Sequence, residues 1–287
     1  MSETHVDYRD WIGRSELRTD QVTPVPVAAM AATLDCAEPP CRIGDELPPL
    51  WHWLYFLPVH RLSKMGADGH PQRGGFLPPI SQPRRMWAGS RLSFLQPLHI
   101  GDTLSRTTRI ANVIAKRGRS GALVFLSLRH EIGNQAGPAL VEEQDLVYRD
   151  APQAGDALPA PLPGPPDADW ADEIQPDPVL LFRYSALSFN SHRIHYDQPY
   201  ATDVEGYPGL VVHGPLLATL LLERLRRHMP RRAVRAFEFR ALRPVFHTAP
   251  FFVCGRVERP DGGSVALWVR DAGGALCMEA SARVKRR

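Results

Sequence analysis

The segment Ser90-Arg-Leu-Ser-Phe-Leu-Gln-Pro97-Leu-His-Ile-Gly101-Asp-Thr-Leu104 lies over Phe237-Glu-Phe-Arg-Ala-Leu-Arg-Pro244-Val-Phe-His-Thr248-Ala-Pro-Phe251, apolar for apolar about Pro97 and Pro244. Such a correspondence between distant segments says that one supersecondary unit is built twice. Downstream the match continues: Ala122-Leu-Val-Phe-Leu-Ser-Leu-Arg129 answers Val265-Ala-Leu-Trp-Val-Arg270, and Ala139-Leu-Val-Glu-Glu143 answers Ala275-Leu-Cys-Met-Glu279. Strands are expected over 90–96, 103–115, 121–132 and 139–149, then over 235–243, 251–258, 264–271 and 275–285. Short glycine-bearing turns, such as Arg117-Gly118-Arg119 and Asp261-Gly262-Gly263, make neighbouring strands antiparallel.

Upstream of each strand set the pattern changes to helical. Pro215-Leu-Leu-Ala-Thr-Leu-Leu-Leu-Glu-Arg-Leu225 places Leu216, Leu217, Leu220, Leu221 and Leu225 on one face. Pro49-Leu-Trp-His-Trp-Leu-Tyr-Phe-Leu57 is its counterpart in the first half, with Pro49 and Pro215 both suited to a first helical turn. A further first-half helix is expected over Val25–Leu34. An antiparallel sheet must cover its apolar face, and one apolar helix per half does so. The fold class is therefore α+β, with two antiparallel sheets each wrapped around a central helix. Between the halves, residues 151–178 carry Pro152, Pro159, Pro161, Pro163, Pro165, Pro166, Pro176 and Pro178, a density that excludes helix and central strand. That reads as a linker separating a 1–150 half from a 179–287 half.

Composition narrows the function classes. A chain of 287 residues with 44% hydrophobic content can bury a large core. Its 34 basic and 31 acidic residues leave a net charge of only +3, too weak a field for a nucleic-acid partner. Eight arginines between Arg224 and Arg243 face only Glu238, and read either as a solvated helix end and strand face or as a phosphate site. The opening residues, including Glu3, Asp7, Arg9 and Asp10, form no long apolar run, and no helix reads as a membrane span. Cys36, Cys41, Cys254 and Cys277 form no CxxC pair, so neither a zinc site nor a disulfide framework is indicated and a reducing cytoplasm is the expected setting.

The chemistry is concentrated in Phe189-Asn190-Ser191-His192-Arg193-Ile194-His195-Tyr196-Asp197 and in Gly209-Leu-Val-Val-His213-Gly214-Pro215. Polar groups this dense between apolar segments mark a cleft. His192, His195 and Asp197 could also serve as metal ligands, but the spacing is nonspecific and no matching ligand group stands elsewhere, so no metal is expected.

Taken with the duplicated architecture, these residues resemble the MaoC-like (R)-specific enoyl-CoA hydratases and 3-hydroxyacyl-thioester dehydratases, whose long members are double hotdogs. The Asn190 to Asp197 version is most similar to the branch that holds itaconyl-CoA and mesaconyl-C4-CoA hydratases and the mitochondrial-type thioester dehydratases. The family motif is Asp-x-Asn-Pro-(Leu/Ile)-His; here Asn190 stands at the Asp position and His195 at the His. The resemblance implies reversible addition of water to an enoyl-CoA double bond, with His195 as base, Asn190 orienting the water and the Gly214 N–H holding the thioester oxygen. It implies a degenerate first half that makes room for the acyl chain, with the insertion from Pro58 to Trp87 lining or covering that room.

Other roles stay open. Asp197 reads either as an orienting partner of a histidine or as a turn cap, and Arg193 as its ion-pair partner or as a group facing a substrate carboxylate. His192 and His213 read as structural histidines or as part of the substrate site. Arg84 and Arg85 are candidates for the phosphates of coenzyme A, or plain loop charges. No cofactor is expected beyond coenzyme A as part of the substrate. Thioester hydrolysis and non-catalytic acyl-CoA binding are the alternative functions, and a homodimer is an alternative to a monomer, since two fused halves already cover one sheet edge.

Overall fold

A computed structural model describes residues 8–37, 39–40, 42–118, 121–150, 160–259 and 263–287. Glu3, Asp7, Cys41, Arg119, Pro152, Pro159, Asp261 and Gly262, which entered the sequence reading, lie outside them. Among the described residues ten strands form one antiparallel sheet: β1 (Ser15–Gln21), β2 (Arg84–Phe94), β3 (Thr103–Gly118), β4 (Gly121–Asn134), β5 (Gly137–Arg149), β6 (Trp170–Ile174), β7 (Arg232–Ala241), β8 (Phe251–Val257), β9 (Ser264–Asp271) and β10 (Leu276–Arg286). Their order is β1-β3-β4-β5-β2-β7-β10-β9-β8-β6, so each half contributes five strands in the same sequence, reversed about the centre.

The repeat explains the junction. β2 and β7 pair antiparallel with Leu92 opposite Phe237, Ser90 opposite Phe239, and Arg91 opposite Glu238, its own counterpart in the sequence alignment. A two-fold relation therefore passes through that pair, and the two sheets of the double hotdog join edge to edge. The symmetry extends to the loops: Leu47 N–H donates to Leu98 O (2.7 Å) as Val212 N–H donates to Val245 O (2.8 Å).

Helix α3 (Gly214–His228) is the centre of the second half. Its residues 216–223 and Leu225 are all buried, and it packs on β7, β8 and β9. Each of its leucines removed from water stabilises by about 2 kcal/mol. The first half differs from expectation: its counterpart is a four-residue 3-10 turn, Trp51–Leu54. The chain enters that turn through Leu50 at φ 71° and leaves near Phe56 at φ 56°, both left-handed, so helical hydrogen bonding does not propagate. The room that a helix would fill stays open.

Helices α1 (Pro24–Thr33) and α2 (Pro178–Leu187) follow the edge strands β1 and β6 and pack against each other. Asp177 caps α2 by accepting the Leu180 N–H at 2.7 Å. The stretch read as a linker over 151–178 thus contains β6, an edge strand anchored by buried Trp170 and Ile174 and paired with β8. Among the described residues Cys36, Cys254 and Cys277 are free thiols, and no helix is long and apolar enough to cross a membrane.

Candidate active site

A cavity of about 1,410 Å³ runs between the halves. One wall is the loop after α2 with the start of α3; the other is the insertion before β2 with the inward face of β3, β4 and β5.

His195 sits on a 3-10 turn, Arg193–His195, and is 7% exposed. Its Nδ1 lies 2.7 Å from the Val211 carbonyl oxygen. A carbonyl can only accept, so Nδ1 carries the proton and Nε2 presents a lone pair. Burial lowers its pKa to about 4, with the neighbouring His70 adding in the same direction against the Val211 bond. The ring stacks on His213 at 3.7 Å between centroids. His213 is fully buried, takes no part in lining the cavity, and has Nε2 2.8 Å from the Ser185 hydroxyl. It therefore holds the His195 ring from behind rather than meeting substrate.

Asn190 lines the cavity, but its Oδ1 accepts the backbone N–H of His192 at 3.0 Å, closing the turn that delivers His192 and His195. The oxygen expected to hold water has that bond as its first engagement, and the Nδ2 amide is the group left over. Gly214 opens α3, where the leading N–H groups have no intrahelical partner, and a Cβ there would meet nothing within 4 Å. A ligand can thus approach the backbone closely from the cavity side.

Arg193 and Asp197 do not line the cavity. Arg193 donates to Asp197 Oδ2 through Nε at 2.9 Å and Nη2 at 2.8 Å, and lies over the Tyr200 ring, while Asp197 Oδ1 accepts the Tyr200 N–H. Asp197 is a cap and ion-pair partner with no bond to a histidine among the described residues, and the pair expected to bind substrate is bonded to itself off the cavity wall. Arg84 is likewise committed, forming an ion pair with Glu205 and lying over Tyr207. Arg85 lines the cavity, and its charge reaches His70 and His192. Arg224, Arg226, Arg227 and Arg240 are tied to Asp172, Glu223 and Glu279, which favours the structural reading of the arginine cluster.

The insertion contributes what the sequence reading missed. Asp68 accepts from the His70 backbone N–H through Oδ1 and from its Nδ1–H through Oδ2, both at 2.9 Å. The His70 ring lies 4.0 Å from that of His192, whose ring meets His195 edge-on at 5.3 Å. Burial leads in lowering the pKa of both, that of His192 to about 2. Three hydrogen bonds dock the insertion on the loop: Arg193 N–H to Asp68 O (2.9 Å), Ser191 Oγ–H to Gly69 O (2.6 Å) and Arg193 Nη1–H to Ala67 O (3.1 Å). The only sequence signal was Asp68-Gly69-His70 itself, in the other half of the chain. Asp68, His70 and His192 could hold a metal ion, with ligand atoms within 4.8 Å of one another, a set different from the His192, His195 and Asp197 pattern weighed from sequence. The Asp68–His70 contacts are already hydrogen bonds, and Arg85 and Arg73 place positive charge beside the set, which disfavours a cation there.

Residues 50–247 match the family model described as hydroxyacyl-thioester dehydratase type 2. The chain is 47% identical over 276 residues to mesaconyl-C(4)-CoA hydratase of Chloroflexus aurantiacus, covering 96% of this chain and 97% of that one. In structure it resembles HtdX of Mycobacterium tuberculosis, with a TM-score of 0.67 at 19% identity over 94% of this chain and 99% of that one. A second Mycobacterium tuberculosis protein, described as having a double hotdog fold, covers 96% of each chain with a TM-score of 0.59 at 18% identity.

Proposed function

The chain belongs to the hydroxyacyl-thioester dehydratase type 2 family, and from that premise we propose that it adds water reversibly across the double bond of an enoyl-CoA whose acyl group is small and carries a second carboxylate. The observation that carries the reading is His195: a buried, neutral imidazole whose Nδ1–H is fixed on Val211 O and whose Nε2 is the remaining acceptor, on the same cavity wall as Gly214.

In hydration, Nε2 takes a proton from water as the water oxygen bonds to the β carbon. The π electrons move to the thioester oxygen, where the Gly214 N–H at the positive end of α3 stabilises the enolate charge. The imidazolium then gives its proton to the α carbon and returns to neutral. A base whose folded pKa lies near 4 is uncharged at pH 7, and once protonated it is a strong acid, which favours the second transfer. Arg85, which lines the cavity on the insertion side while Arg84 is taken up by Glu205, is placed to meet a phosphate of coenzyme A. The free thiols of Cys36, Cys254 and Cys277, among the described residues, fit a cytoplasmic setting.

The test is a panel of crotonyl-, mesaconyl-, itaconyl- and longer enoyl-CoA thioesters, followed by loss of enoyl absorbance and by thiol release. Absorbance loss without thiol release supports hydration. Thiol release in step with absorbance would make the protein a thioesterase, and binding without turnover of any member would make it a carrier.

A further inference from the structure

The room left in the first half by its missing central helix is not lined by apolar groups alone. On the inward faces of β3, β4 and β5, where alternate residues such as Leu104, Ile110, Leu128, Ile132 and Leu146 are apolar, one band is polar: Arg106 and Thr108, His130, then Glu142 and Gln144. Register places Thr108 opposite His130 and His130 opposite Glu142, so the band crosses the sheet in a line, and it lines the same cavity as His195.

The band is satisfied at every member but one. Glu142 receives Ser90 Oγ–H (2.8 Å) and Trp53 Nε1–H (3.1 Å), with His52 Nε2 at 3.4 Å, and these contacts hold its carboxyl low, at about 2, against burial. Thr108 and Gln144 meet the two nitrogens of His130. Arg106 stands apart: its Nε is buried with no hydrogen-bond partner among the described residues, and its guanidinium lies over the Phe56 ring. Directly across the ladder stands Arg18, a like charge whose guanidinium is bonded to the Phe56 and Leu57 carbonyls. Of the carboxylates that attract Arg106, Asp20 is taken by the Phe56 and Gln21 N–H groups and Glu142 by the contacts above, and Glu16 forms no ion pair with it among the described residues. A cation under-partnered in a cavity wall, beside a second cation, is a receptor for an anion.

We propose that Arg106, in the vacated helix position of the first half, binds the carboxylate at the far end of the acyl group and selects for it over a methyl end. The inference rests on the enoyl-thioester reading of the cavity. An alkyl terminus in this room would leave Arg106 desolvated and unmatched, whereas a carboxylate gives it the forked partner its geometry fits.

Matched thioesters test it. Fumaryl-CoA and crotonyl-CoA differ only by carboxylate against methyl, as do 2-hexenedioyl-CoA and 2-hexenoyl-CoA in effect. Wild-type protein is expected to favour the carboxylate member of at least one pair by more than about 100-fold in kcat/KM, and Arg106→Met to lose that preference while the methyl member is unchanged or faster. The same selective loss with pantetheine thioesters supports the acyl carboxylate; a loss confined to CoA thioesters would assign Arg106 to a phosphate and overturn the proposal. Equal losses on both members, or no wild-type preference, overturn it as well. A measurement that needs no variant is competition by saturated analogues, where succinyl-CoA is expected to bind wild type more than about tenfold tighter than butyryl-CoA, and equal binding contradicts the proposal. If wild type hydrates crotonyl-CoA yet shows no carboxylate preference, the hydratase reading stands and Arg106 falls. If no thioester is hydrated, the hydratase reading falls, and the analogue comparison run on wild type and on Arg106→Met still decides Arg106.

Discussion

Replacing Gly69 by alanine separates the two walls of the cavity without touching either one's chemistry. Gly69 has φ +84°, and a Cβ built there would lie 1.8 Å from the Ser191 carbonyl oxygen and 2.8 Å from its carbon, a backbone clash that no rotamer relieves. Left-handed backbone costs an L-residue about 1–2 kcal/mol. Separation also gives up the three bonds from Ser191 and Arg193 to residues 67–69, each worth about 1 kcal/mol net. The overlap costs more than the roughly 3 kcal/mol that those bonds return, so the docked insertion is disfavoured by at least about 10²-fold relative to wild type. The sheet and α3 do not depend on these bonds, so Tm should fall by only a few degrees while kcat/KM for the best enoyl-CoA falls by about 100-fold or more. Gly75→Ala is the matched control in the same insertion: its Cβ meets nothing within 4 Å, and it should behave as wild type. Full activity in Gly69→Ala, or equal losses in both variants, would refute the claim that the docked insertion completes the site.

The pH dependence of stability has a defined sign. His195, His192, His70 and His213 all have folded pKa values below the ordinary 6.5, so below pH 6.5 the unfolded chain holds more protons and stability drops as pH falls. With its folded value near 4, His195 alone loses about 2 kcal/mol between pH 6.5 and 5, roughly 5 °C of Tm, while the carboxylates Asp68 and Glu142 act only below about pH 4.5. A Tm that is flat from pH 7 to 5 would contradict this. Asn190→Asp keeps an acceptor for the His192 N–H and adds negative charge to the wall, so the acid limb of kcat/KM should move up by about one unit from near 4; an unmoved limb would place residue 190 outside the reach of His195. Arg84→Met removes the partner of Glu205 and the cation over Tyr207, and should alter KM equally for CoA and pantetheine thioesters. A rise for CoA alone would restore Arg84 to a phosphate role.

Much of the fold was legible because its signals are local. The eight strands expected from alternation and turns are all present, with ends shifted by a few residues, since each carries an apolar inward face. The two missed strands are the outer edges: Ser15–Gln21 has no apolar stripe, and Trp170–Ile174 offers two anchors in a proline-rich stretch. The central helix expected over Pro49–Leu57 failed because Leu50 and Phe56 take left-handed backbone, a tertiary choice with no mark in the sequence. In the site, Asn190, His195 and Gly214 share one wall because they flank α2 and α3 closely in sequence. Asp68, His70 and Arg106 reach the same cavity only through the pairing of two halves, which no spacing reveals. Arg193 with Asp197 and Arg84 with Glu205 show the converse, polar residues next to the site whose charges are consumed by each other.

The central claim concerns Nε2 of His195, and the most direct measurement is kcat/KM for hydration by His195→Gln. Glutamine can keep a hydrogen bond to the Val211 carbonyl and fill the space beside His213, but it cannot accept a proton at neutral pH. With Tm close to wild type, the rate should fall by about 10³-fold on every enoyl thioester the wild type hydrates. A folded His195→Gln protein that hydrates within tenfold of wild type would show that another group takes the proton from water.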